Sequence, residues 1–137
     1  MQKKITILIA DRNLHVREFL KREMTAAGYR ILLADKGRDI VRRIYHPDPV
    51  NLLILDPDLP DLDESAVLKK LQNRIPVMPV VVHTFVSVFE THRDLLAMAT
   101  FVEKNGSSVE RLKQVVSDIL RETGLYPNVA KKTDSEK

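Results

Sequence analysis

The 137-residue sequence predicts an α/β fold in which a doubly wound parallel sheet of five strands lies between five helices. Three observations lead there. Five short apolar runs, each cut off by a polar residue, alternate with stretches whose apolar residues recur at spacings of three and four. The runs are nearly continuous rather than alternating, the pattern of strands covered on both faces. The length suits a single domain built on one core.

In chain order, Ile5 to Ala10 reads as a first buried strand ending at Asp11. A helix follows on Val16, Phe19, Leu20, Met24 and Ala27, with Gly28 where a helix stop is expected. Tyr29 to Ala34 is the second strand, and a short helix carrying Ile40, Val41 and Ile44 must end before Pro47. Asn51 to Leu55 is the third strand, closed by Asp56, and the helix from about Glu64 to Asn73 turns Val67, Leu68 and Leu71 inward. Pro79 fits only the start of the fourth strand, Val80 to Thr84, because proline cannot donate to a ladder. Phe89, Leu95, Leu96 and Met98 suggest a less regular fourth helix, and Thr100 to Glu103 is a short fifth strand. Ser107 and Glu110 form an S-x-x-E capping box, after which Leu112, Val115, Val116, Ile119 and Leu120 make one stripe ending near Gly124. The domain is expected to span residues 1–124, followed by a charged, disordered tail over 125–137.

Composition excludes several classes of function. A formal net charge of +3, with 30% charged and 44% hydrophobic residues, is that of a globular chain. Basic residues are scattered in pairs such as Arg42/Arg43 and Lys69/Lys70 without interleaved aromatics, so no nucleic-acid surface is expected. The absence of cysteine removes disulfides, thiolate metal sites and cysteine nucleophiles, and suits a cytoplasmic location. No apolar run approaches the roughly 18 residues of a membrane span, so a soluble chain with no membrane partner is expected.

In open parallel sheets, ligands bind outside the carboxyl ends of the strands, where strand order reverses. The residues at those ends are Asp11 and Arg12 after the first strand, Asp56 after the third, Thr84 on the fourth and Lys104 after the fifth. Two carboxylates, a hydroxyl and a lysine converging there suit phosphoryl chemistry. A carboxylate such as Asp56 can attack a phosphoryl group to give an aspartyl phosphate. Lys104 and Thr84 would then bind phosphoryl oxygens, and a hard cation would neutralise the remaining charge.

These positions, with the segment Leu52-Leu53-Ile54-Leu55-Asp56-Pro57-Asp58-Leu59-Pro60-Asp61-Leu62-Asp63, resemble the receiver domain of the two-component response-regulator family from Lys4 to about Gly124. The shared feature of that segment is an acceptor aspartate followed four residues later by a proline. The resemblance implies a flavodoxin-like sheet of order 2-1-3-4-5. It implies that Asp56 accepts a phosphoryl group from a histidine kinase or a histidine phosphotransfer protein, with Thr84 and Lys104 assisting. Thr84 and the aromatic Phe101 would form the switch, and Mg2+ would be held by Asp11, Asp56 and the backbone carbonyl of Asp58. It further implies a signalling module and not an enzyme. Such a module contacts a downstream protein through the fourth helix, fifth strand and fifth helix, and a homodimer is also allowed.

The sequence departs from the family where a pair of acidic residues normally follows the first strand, because the second of them is Arg12. Asp11, Asp56, Arg12 and Lys104 then carry no net charge, and magnesium binding is expected to be weak or absent. Asp58 could supply a substitute carboxylate if it turned inward. Alternatively Arg12 could close a bidentate fork on Asp56, making the chain a pseudo-receiver that works as a phosphorylation-independent interaction module. The proline usually found after the lysine is Asn105, so the cis peptide common there is not expected; Glu64 and Ala97 stand where glycines are usual.

Two other readings compete for the acidic stretch. Asp56-Pro57-Asp58 resembles the D-x-D of haloacid-dehalogenase-like phosphatases, with Asp56 as nucleophile and Asp58 as acid. That motif belongs after a first strand, however, and Pro60 stands where it carries threonine or valine. A calcium loop fails because Pro60 and Asp61 occupy its last two required places. His15, His46, His83 and His92 show no paired metal-ligand spacing and are assigned no chemistry.

Overall fold

The structure, a computed structural model, describes residues 4–124, so the tail expected over 125–137 lies outside the described residues. The elements run β1 (Thr6–Ala10), α1 (Leu14–Ala26), β2 (Arg30–Ala34), α2 (Gly37–Ile44), β3 (Leu52–Leu55), α3 (Glu64–Asn73), β4 (Val80–Thr84), α4 (Val86–Phe89), α5 (Arg93–Leu96), β5 (Thr100–Glu103) and α6 (Ser108–Glu122). The strands form one parallel sheet of order β2-β1-β3-β4-β5. Strand order reverses between β1 and β3, the place where such sheets form their sites.

The continuous apolar runs of β1, β3 and β4 exist because each strand is buried on both faces. Alternate residues serve opposite layers. Leu8, Leu53, Leu55, Val80 and Val82 pack with Ile40 and Ile44 of α2 and Val67 and Leu71 of α3. Ile7, Ile9, Leu52, Ile54 and Val81 pack with Leu20 and Met24 of α1 and Leu112, Val115, Val116 and Leu120 of α6. Gly28 has φ 104° at the end of α1, a conformation that glycine adopts without the Cβ clash of other residues.

Three local expectations change. The fourth helix is two four-residue helices, α4 and α5, because Thr91 and His92 separate its apolar positions. Phe19 is 40% exposed, with the Arg22 guanidinium 5.2 Å from its ring centroid, and Ala27 is exposed. The capping box does not close: Ser107 makes no side-chain cap. Its N–H and hydroxyl both donate to Asn105 Oδ1, so the side chain is turned back onto the preceding loop and not onto the α6 amides. Among the described residues the cis peptide is Ile75–Pro76, and none occurs at Lys104–Asn105.

Candidate functional site

Backbone ladder bonds extend past the strand ends and fix the residues expected to form the site. The Asp11 N–H donates to Ala34 O, Asp56 N–H to Ala10 O, and Lys104 N–H to Thr84 O. Asp11 and Asp56 are buried beside Thr84, which is fully buried, and the Lys104 side chain is only 11% exposed.

Lys104 Nζ lies 2.6 Å from Asp56 Oδ2 and 2.8 Å from Asp11 Oδ2, and so bridges the two carboxylates. The Thr84 hydroxyl donates to Asp56 Oδ1 at 2.8 Å. The Asp58 N–H donates to the same oxygen at 2.9 Å, and the Asn13 N–H donates to Asp11 Oδ1 at 2.9 Å. All four carboxylate oxygens of Asp11 and Asp56 therefore accept from a donor of the chain itself. Burial works against the charge on Lys104, but its bonds to Asp11 and Asp56 outweigh that penalty and hold its pKa above the ordinary lysine value.

Arg12 does not fork onto Asp56. Its Nη2 lies 3.5 Å from Asp58 Oδ2, with both side chains about half exposed. The Asp58 N–H bonds Asp56 while its half-exposed carboxylate meets the guanidinium at the rim. Asp58 is thus neither an inward substitute carboxylate nor poised over Asp56 as a proton donor. Among the described residues no three His, Asp or Glu side chains are grouped as metal ligands.

Phe101, the expected switch aromatic, is partly buried beside Val82 on β4 and packs against the α2/α3 layer. Phe85, which the sequence did not single out, places its exposed ring with its centroid 5.5 Å from Lys104 Nζ.

His83 was assigned no chemistry from the sequence. It is buried, with Nε2 2.9 Å from Ser108 Oγ, whose hydroxyl donates to Asn105 O. Nε2 therefore carries the proton, and Nδ1 is left buried without a partner among the described residues. Burial first, and then the nearby Lys104 charge, hold the ring's pKa down at about 4, against a smaller upward pull from Asp56. The available signal was parity: one residue before Thr84, His83 must face the opposite layer, that of α1 and α6. His92 likewise has a partner, with Nδ1 2.6 Å from Glu64 Oε1, while Glu64 Oε2 accepts the Leu95 N–H at 3.0 Å.

The chain is similar to known proteins in sequence and in fold. The family model described as the response regulator receiver domain matches residues 7–117. Response regulator MprA of Mycolicibacterium vanbaalenii is 32% identical over 80 residues, which cover 58% of this chain and 34% of that protein. The DNA-binding transcriptional regulator NtrC of Klebsiella pneumoniae is 29% identical over 84 residues, 61% of this chain and 18% of that protein. The chain thus matches about a third or less of the length of these curated relatives. Among solved structures, a response regulator receiver protein from Sinorhizobium medicae superposes with TM-score 0.75 at 19% identity, covering 87% of this chain and 96% of that one. The chemotaxis response regulator CheY4 of Vibrio cholerae gives 0.70 at 17% identity, covering 86% and 100%. No helix among the described residues is long and apolar enough to cross a membrane.

Proposed function

The chain belongs to the response regulator receiver domain family, and from that premise we propose that it accepts a phosphoryl group on Asp56 and turns it into a change of protein contacts. Receiver domains are signalling modules that interact with histidine kinases or phosphotransfer proteins and generally use magnesium for phosphorylation. The observation that carries the proposal is the convergence of Lys104 and Thr84 on one buried carboxylate.

The chemistry follows from those contacts. A carboxylate oxygen of Asp56 attacks phosphorus while the ammonium of Lys104 and the hydroxyl of Thr84 sit where charge grows on the phosphoryl oxygens. Thr84 then follows the phosphoryl group, and Phe101, one strand away, fills the space that this movement opens. An apolar hollow of about 440 Å³ borders Lys104 and is lined by the exposed Phe19 and Phe85; it suits the approach of the protein that delivers the phosphoryl group.

The donor set is a poor fit for magnesium. Arg12 stands where a second acidic residue is usual, and the third carboxylate, Asp58, is turned to its guanidinium, which leaves Asp11 and Asp56, both already bonded to Lys104, as the carboxylates facing the site. Weak or absent metal dependence is part of the proposal. Incubating the chain and its Asp56→Asn variant with acetyl phosphate, and reading intact mass, tests the acceptor. The expected result is one added phosphoryl group on the unmutated chain and none on the variant. If neither gains mass, with or without magnesium, the alternative of a phosphorylation-independent interaction module takes its place.

A further inference from the structure

Arg12 sits between two anchored residues. Asp11 on one side is held by its N–H on Ala34 O, by the Asn13 N–H on its carboxylate and by the Arg17 guanidinium on its carbonyl. Asn13 on the other side is the N-cap of α1, accepting the Val16 N–H. The Arg12 backbone is therefore fixed at the rim of the acceptor pocket, while its side chain is exposed and, among the described residues, held only by Asp58 at 3.5 Å, a loose contact between solvated groups. Asp58 itself is tied by its N–H to Asp56 Oδ1, so the guanidinium pairs with a residue bonded directly to the acceptor.

Charge decides what it does there. The buried trio of Asp11, Asp56 and Lys104 has one negative charge in excess, and the Arg12–Asp58 pair at the rim cancels. A phosphoryl group on Asp56 replaces one negative charge by about two. Lys104 is already shared between carboxylates and cannot balance the addition alone. A guanidinium offers a planar fork of donors that matches phosphoryl oxygens and is always charged. Asp61, which lines the same hollow beside Arg12, does not compete for it, since its carboxylate accepts the Gly37 and Arg38 amides at the start of α2.

We propose that Arg12 is the phosphoryl-binding cation of this site, exchanging the Asp58 carboxylate for phosphoryl oxygens as transfer proceeds and so making phosphorylation independent of magnesium. The inference rests on Asp56 being the acceptor. With acetyl phosphate, a carboxylate oxygen of Asp56 forms the new O–P bond. The P–O bond to the acetyl group breaks, acetate leaves with the electron pair, and no proton is gained or lost. Because the charge gained is on the phosphoryl group, Arg12 stabilises the transition state and product more than the resting site.

The test is the initial rate of mass gain with acetyl phosphate, in chelator and in excess magnesium, for the unmutated chain, Arg12→Lys, Arg12→Ala and Arg12→Asp. The unmutated chain is expected to react at nearly the same rate in both solutions. In chelator Arg12→Ala should be slower by roughly tenfold to a hundredfold, Arg12→Lys intermediate, and Arg12→Asp active only with magnesium. Arg12 is exposed, so these variants are expected to keep the fold, which their thermal melts check. An Arg12→Ala rate in chelator equal to that of the unmutated chain overturns the proposal, as does an unmutated chain that reacts only with magnesium. Failure of every chain under both conditions instead rejects Asp56 as acceptor, and this inference with it.

Discussion

Lys104 Nζ stands 2.6 Å from Asp56 Oδ2, although the two residues are 48 apart in sequence. β3 and β5 are not neighbours, since β4 lies between them, so the contact spans the ends of three strands.

Magnesium binding should be weak, because Arg12 stands where a carboxylate is usual and pairs with Asp58. Calorimetric titration of the unmutated chain is expected to show no saturable heat in the millimolar range, and Arg12→Asp should restore binding by returning a carboxylate to the rim. Ordinary saturation by the unmutated chain would sink this reading.

Removing either end of the Lys104–Asp56 contact should have unequal effects on stability. Asp56→Asn keeps an oxygen for Thr84 and the Asp58 amide, and Lys104 retains Asp11, so the cost should be about 0 to 1 kcal/mol. Lys104→Met leaves two buried carboxylates facing each other without a cation, a loss on the order of 3 kcal/mol. Urea denaturation of both variants checks the ordering, and a larger loss for Asp56→Asn contradicts it.

His83 should make the fold acid-sensitive. Its folded pKa of about 4 lies below the ordinary 6.5, so the unfolded chain binds the proton more readily. The stability it contributes is complete above about pH 6.5 and is lost as pH falls toward 4, a total of about 3 kcal/mol. Urea midpoints should fall across that window, and His83→Leu should remain flat down to about pH 5. A parallel decline in both chains would assign the effect to other groups.

The α4–α5 segment should exchange amide hydrogens faster than α6, being two single turns against fifteen residues of continuous helix. Glu64 restrains it by accepting from His92 and the Leu95 N–H. Glu64→Ala is expected to speed exchange over residues 92–98 by about tenfold without changing phosphorylation of Asp56. Unchanged exchange would show that the buried Leu95 side chain holds the segment by itself.

The sheet was legible because strands buried on both faces read as apolar runs, and the residue ending each run marks the site. Asp11, Asp56, Thr84 and Lys104 were found in that way. Side-chain direction is a different matter. Arg12 meets Asp58 and not Asp56, a choice of side-chain direction that no periodicity encodes. The S-x-x-E pattern misled because Asn105, two residues earlier, takes the Ser107 hydroxyl. His83 stayed hidden because a strand covered on both faces shows no alternation that would flag a polar residue within it.

The most direct measurement of the central claim is to treat the chain with acetyl phosphate, reduce the product with borohydride and map the modified residue by peptide mass spectrometry. Reduction converts an aspartyl phosphate to homoserine, which marks the acceptor permanently. The account predicts homoserine at Asp56 alone. Modification at any other carboxylate, or none in a chain shown to be folded, would contradict it.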